Sequence, residues 1–181
     1  MENETNMPLE IAQLGQPVLR EVAQEVPIDR IAGADFQEFV AAMCETLAHE
    51  KGAGLAAPQV FVGLRVFLAG IHPPPAEGEM PGIEVFINPT ITPIGEETIS
   101  AWEGCLSFPE LLVLVPRPRA VRVEYLNAKG EEIVRDLKGF PARVVQHEFD
   151  HLDGILTIDR AASTRDIIKA SEIDTVRDAS D

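Results

Sequence analysis

The sequence predicts an α+β fold in one domain, residues 1–181, with mostly antiparallel sheets packed around a central helix that carries H-E-x-x-H. Three observations lead there. Short apolar stretches alternate with turn signals through the middle of the chain, as in hairpin-connected strands. Asp35 to Glu50 repeats its apolar residues at helical spacing. A second helix is bracketed by Pro141 and Gly154, the usual asymmetry of helix ends.

Taken in order, residues 1–7 are acidic and polar and are expected to be disordered, with neither a secretory signal nor an Arg-rich transit peptide visible. Pro17 to Ala23 forms a short helix. Asp35 to Glu50 forms a longer one that ends before Gly52 and packs on a sheet through Phe36, Phe39, Val40, Met43 and Leu47. Cys44 lies among those residues, so it reads as a small buried hydrophobe. Val66 to Ile71 and Val85 to Ile87 are strands, separated by a surface loop from Pro73 to Gly82 rich in proline and glycine. Thr90 to Ser100 alternates well enough to be extended. Val121 to Leu126 and Glu131 to Leu137 flank Asn127-Ala128-Lys129-Gly130, a hairpin signal. Residues 164–181 form a tail or helix, with Ser163 to Val176 the helical candidate.

Composition narrows the function classes. A formal charge of −15 argues against direct nucleic-acid binding, which needs a basic face. No segment has the ~20 apolar residues that span a bilayer. Two cysteines give no disulfide framework, so a reducing cytoplasm is the expected compartment.

The most informative stretch is Gln146-His147-Glu148-Phe149-Asp150-His151. Four residues of helix turn through about 400°, so His147 and His151 share a face about one turn apart. Two imidazoles so placed can grip one metal ion, with Glu148 close enough to handle a proton of an activated water. Only four histidines occur in the chain, and two are here; His49 and His72 read as surface residues.

A metal site that does chemistry takes three protein ligands and one open position. A third histidine at the metzincin spacing is excluded, because that position holds Thr157. Glu172, 21 residues past His151, stands near the thermolysin-like spacing. Cys105, 42 residues before His147, is the other candidate. Chemistry favours the cysteine: a thiolate is a strong ligand for zinc or ferrous iron. Gly104, Ser107 and Pro109 around it indicate a strand end or turn.

Three segments resemble the signatures of the peptide deformylase family, in the family's order. They are Gly52-Ala53-Gly54-Leu55-Ala56-Ala57-Pro58-Gln59, Glu103-Gly104-Cys105-Leu106-Ser107 and Gln146 to His151. The resemblance runs from about Gln16 to Arg160. It implies hydrolysis of the N-formyl group of an N-formylmethionyl peptide, with release of formate. It also implies Cys105, His147 and His151 as ligands of one divalent metal ion, Fe²⁺ by preference, with zinc, nickel or cobalt as substitutes. Glu148 would take the proton from water and pass it to the leaving amine. The Gln59 amide and the Leu106 backbone N–H would stabilise the developing oxyanion. Gly54, Glu103 and Val144 are expected to bind substrate, with Gly54 admitting close backbone approach and Val144 lining the methionine pocket. Arg117 is the suggested ionic partner of Glu103. Gln146 and Asp150 are candidates for holding the ligand imidazoles.

Two departures from the family pattern stand out. Leu112 replaces an arginine that many relatives use to bind the peptide backbone. The C-terminal stretch is acidic and lacks a basic ribosome-docking helix, so any ribosome contact is expected to be transient. A domain that binds formylated or acetylated peptides without turnover is the alternative of a different class; the presence of Glu148 and Gln59 argues against it.

Overall fold

Two antiparallel sheets and a helix lying against both arrange the chain. The structure, a computed structural model, describes residues 8–73 and 82–178. The expectations for residues 1–7 and for most of the proline-rich loop lie outside the described residues.

The strands are β1 (Gly54–Ala56), β2 (Val66–His72), β3 (Gly82–Pro93), β4 (Thr98–Glu103), β5 (Leu111–Pro118), β6 (Ala120–Leu126), β7 (Glu132–Lys138) and β8 (Ile167–Lys169). The helices are α1 (Ile28–Ile31), α2 (Ala34–Glu50), α3 (Phe140–Leu152) and α4 (Ile173–Asp178). One sheet has the order β1-β2-β3-β6-β7, the other β4-β5-β8.

Local chemistry accounts for most of these elements. The β6–β7 hairpin turns where the Asn127 carboxamide oxygen accepts from the Lys129 and Glu131 N–H groups, at 2.8 and 3.0 Å. Helix α2 buries Phe36, Val40, Met43 and Leu47 against Leu55, Leu68 and Ile87 of the larger sheet. Pro17 to Ala23 is shorter than expected, a 3-10 turn over Pro17–Arg20.

Two expectations fail for physical reasons. Thr90 to Ser100 is not one extended stretch, because the chain turns between β3 and β4 with Gly95 at φ 75°. Ser163 to Val176 is not one helix. Ile167 and Ile168 instead pair with Val113 and Leu112 at the open edge of β5, leaving a 3-10 turn over Ala170–Glu172 and the short α4 beyond.

Helix α3 divides its faces by spacing. Val145 and Leu152 are fully buried, and with Phe149 they pack on Phe67, Ala69 and Phe86 of the larger sheet. Burying a side chain of that size contributes about 1.5–3 kcal/mol. Val144, His147, Glu148 and His151, at helical intervals, form another face. Gly154 ends the helix at φ 69°, where a Cβ would also come within 2.6 Å of the Arg20 carbonyl oxygen.

Candidate metal centre and active site

Strand β4 ends at Glu103, and the chain then turns, with the Phe108 N–H donating to the Cys105 carbonyl at 3.1 Å. That turn brings Cys105 against the histidine face of α3. The Cys105 Sγ lies 3.4 Å from the His151 Nε2. Cys105, His147 and His151 are all buried, with one ligand atom from each lying within 4.8 Å of the others. One thiolate and two imidazoles at such separations fit a divalent transition metal. Glu172 is exposed on the 3-10 turn Ala170–Glu172 and is not part of this group.

Glu103 supports the cluster from behind. Its Oε2 accepts from the His147 Nδ1 at 3.0 Å, so Nε2 is the nitrogen a metal would take, displacing its proton. The Arg117 Nε and Nη2 donate to the two carboxylate oxygens at 2.7 and 3.0 Å, and the Arg143 Nη1 donates to Oε1 at 2.6 Å. Burial alone would raise the Glu103 carboxyl. The hydrogen bonds and charges of His147 and Arg117 overturn that and hold it at about 2. Burial likewise opposes a charged His147, but hydrogen bonds with Cys105 and Glu103 raise it well above the usual imidazole range. His151 is driven the other way, by burial and by the charges of His147 and Arg117, so it stays a neutral imidazole.

The depressed Glu103 value has a stability consequence. A carboxyl lowered by folding contributes stability above its unfolded value, and that contribution fades as pH falls toward the folded one. Here the window runs from the usual 4.5 down to about 2, and the contribution is on the order of 3 kcal/mol. Glu103→Gln should therefore unfold at lower urea than the parent at neutral pH. The gap should close as pH falls through that window; a gap independent of pH would refute the assignment.

Glu148 stands beside the cluster, and its Oε2 is buried without a hydrogen-bond partner among the described residues. Burial is the main cause that pushes this carboxyl up to about 7, with Glu103 and Asp150 adding to it. A buried carboxylate oxygen with an open lone pair can receive a proton from water in the pocket. What a side chain at Gly54 would meet is this same group: a Cβ there would lie 2.4 Å from the Glu148 Oε1.

Gln59, fully buried on the 3-10 turn Ala57–Val60, is fixed at both ends of its amide. Its Oε1 accepts from the Ala56 N–H at 2.9 Å. Its Nε2 donates to the Ser107 Oγ at 3.2 Å and lies 3.6 Å from the Cys105 Sγ. Leu106 occupies the second position of the Cys105–Phe108 turn, where the backbone N–H is not used by the turn itself.

These groups open into a cavity of about 620 Å³, lined among others by Gly54, Glu103, Val144 and Phe140. Gly54 and Val144 thus face this cavity. Glu103 borders it too, although its carboxylate is engaged by Arg117, Arg143 and His147. Asp150 accepts from Arg117 at 2.8 Å and is also bound by Arg160, while the Gln146 amide donates to the Pro118 and Ala142 carbonyls at 3.0 Å. His49 and His72 are exposed, beside Glu50 and Glu84. Sequence reasoning missed Arg143, Arg160 and Ser107. Of these, Arg143 was findable, since it precedes His147 by one helical turn.

A family model described as polypeptide deformylase matches residues 8–166. The chain is 41% identical over 166 residues to peptide deformylase 2 of Nostoc sp., covering 91% of this chain and 92% of that one. It is 44% identical over 146 residues to the peptide deformylase of Thermotoga neapolitana, covering 81% and 82%. The crystal structure of the Thermotoga maritima peptide deformylase superimposes with a TM-score of 0.76 at 40% identity, over 87% of this chain and all (100%) of that one. A class I type b peptide deformylase from Acinetobacter baumannii, solved with Met-Ala-Ser bound, gives 0.78 at 36% identity, over 84% and 98%.

Proposed function

The chain belongs to the peptide deformylase family, a metal-dependent hydrolase that removes the N-formyl group from the N-terminal methionine of nascent polypeptides, and we propose the residues that carry its reaction. Cys105, His147 and His151 hold the metal. The observation that carries this reading is a cysteine sulfur and two imidazoles whose ligand atoms lie within 4.8 Å of one another, with Cys105, His147 and Glu148 lining one cavity and a Glu148 oxygen buried without a partner among the described residues. We infer ferrous iron as the ion held in the cell; zinc, nickel and cobalt suit the same donors. When bound, the ion supplies Lewis acidity that polarises the formyl carbonyl and makes water nucleophilic near neutral pH.

The protein's own groups do the rest. Glu148 takes a proton from the attacking water as the bond to the formyl carbon forms. The Gln59 Nε2 and the Leu106 N–H donate to the oxygen that becomes negative, each contributing ~3 kcal/mol in comparable sites. Glu148 then delivers its proton to the nitrogen of the breaking C–N bond, freeing formate and an N-terminal amine. Val144 lines the methionine pocket, Gly54 leaves room for Glu148 beside the substrate, and Glu103 borders the cavity while holding His147.

The bacterial relatives and the two free cysteines support a reducing cytoplasm as the compartment. No helix among the described residues is long and apolar enough to cross a membrane. A substrate still attached to the ribosome makes a transient ribosome contact part of this reading.

Formyl-Met-Ala-Ser is the test peptide, since an Acinetobacter relative holds its deformylated form. Protein purified without oxygen and loaded with Fe²⁺ should release formate from it and leave the unformylated peptide. Metal-loaded protein that binds the peptide but releases no formate would replace this reading with that of a binding module.

A further inference from the structure

We propose that Arg143 is a positioning residue that sets the spacing between the two halves of the metal site. The inference rests on the metal-site reading above. Glu103 ends β4 of the smaller sheet, and Cys105 opens the turn that follows it. His147, Glu148 and His151 stand on α3, which is seated on the larger sheet.

These halves are packed in separate apolar cores. Cys105 belongs to a cluster with Phe108, Val113 and Val115, whereas Val144, Val145 and Leu152 of α3 belong to one with Phe67 and Phe86. Apolar packing is non-directional, so it cannot by itself fix the distance across the seam at the tolerance a metal needs. Polar ties across the seam must do so.

Several side chains cross it, and Arg143 is distinguished by what it holds. Arg117 of β5 reaches Asp150, His147 reaches Glu103, and Gln146 reaches the Pro118 carbonyl. The Arg143 guanidinium donates to the Ile99 carbonyl of β4, to the Val115 carbonyl of β5 at 2.9 Å, and to the Glu103 Oε1 at 2.6 Å. Backbone carbonyls inside a sheet cannot rotate away as side chains can. One planar guanidinium on two neighbouring strands and a carboxylate therefore locks both distance and angle. Arg143 lies one turn before His147 and on its face, so a shift at one is felt at the other. Its side chain is only 14% exposed, and its bonds to Glu103 and Val115 are partly buried, while the one to Ile99 is open to solvent.

Cobalt(II) reports this directly, because its thiolate absorption depends on ligand geometry. Arg143→Met should bind Co²⁺ roughly 10–100-fold more weakly than the parent, as loss of a ligand's support does. Its thiolate-to-cobalt band should shift, and kcat at saturating metal should fall by at least about tenfold with KM within about threefold. Arg143→Lys keeps one charged donor without the planar fork and should fall between the two. If Arg143→Met does not fold, Arg143→Lys decides alone. Parental Co²⁺ affinity and spectrum in the folded variants would overturn the proposal, whatever happens to melting temperature. Cys105→Ser is the control for the underlying reading: if it keeps tight cobalt binding and the thiolate band, the assignment of the metal ligands falls, not only the role of Arg143.

Discussion

Replacing Cys105 with alanine should strip the protein of its metal, while Glu172→Ala leaves metal content at the parental level. Removing the thiolate leaves two imidazoles, fewer protein ligands than structural or catalytic zinc sites use. The loss of affinity should exceed the roughly 10–100-fold that removal of a supporting residue costs. Turnover should fall by a factor of about a thousand or more, because several kcal/mol of charge stabilisation depend on the ion. The fold should survive, since alanine fills much of the space of a thiol that packs in one apolar cluster with Phe108 and Val113. Glu172 is exposed on a turn outside the cluster, so its removal has no route to the metal. Equilibrium dialysis with Zn²⁺ or Co²⁺ and circular dichroism on both variants check this together. Metal retained by Cys105→Ala and lost by Glu172→Ala would mean a thermolysin-like ligand set instead.

The histidine helix was readable because its information is local. Pro141, the i, i+4 histidines and Gly154 all fall within one short segment, and helical spacing alone predicts which residues share a face. Asn127 to Gly130 was readable for the same reason, since an Asx turn uses only its own neighbours. Strand β8 was not readable. It is three residues long, too short for any periodicity, and it exists because β5 offers an open edge far away in sequence. The turn at Gly95 carried a signal, a glycine between Ile94 and Glu96, which the apolar alternation on either side obscured. At the site, Cys105 stood out through its motif, whereas its packing in a core separate from that of α3 is a property of the assembled molecule. The value of Arg143 depends on that separation. Gly54 was expected to admit substrate backbone, and the structure adds a neighbour no spacing rule connects to it, the Glu148 carboxylate.

Glu148→Gln should abolish most turnover while leaving the metal in place. Glutamine has nearly the same volume and can still accept a hydrogen bond, so the surroundings should persist; what is lost is the capacity to take and return a proton. General acid–base catalysis of this kind contributes roughly 10²–10⁴-fold, and kcat should fall by that factor. Gly54→Ala tests the same carboxylate from outside. Its Cβ would lie 2.4 Å from the Glu148 Oε1 and 2.7 Å from Cγ and Cδ, contacts that force the side chain to move. A displacement near 1 Å can cost about 10²-fold in rate, so this variant should lose kcat with metal content and KM little changed. The two substitutions should not multiply, because both act through one group. The pH dependence follows with its sign: the base works ionised, so activity falls on the acid side. Burial pushes Glu148 up to about 7, and a bound cation favours the carboxylate, so the acid limb of kcat/KM should lie below that value. In Glu148→Gln the residual activity should lack that limb. A limb unchanged in the glutamine variant, or a double variant whose loss is the product of the two single losses, would move the proton-transfer role away from Glu148.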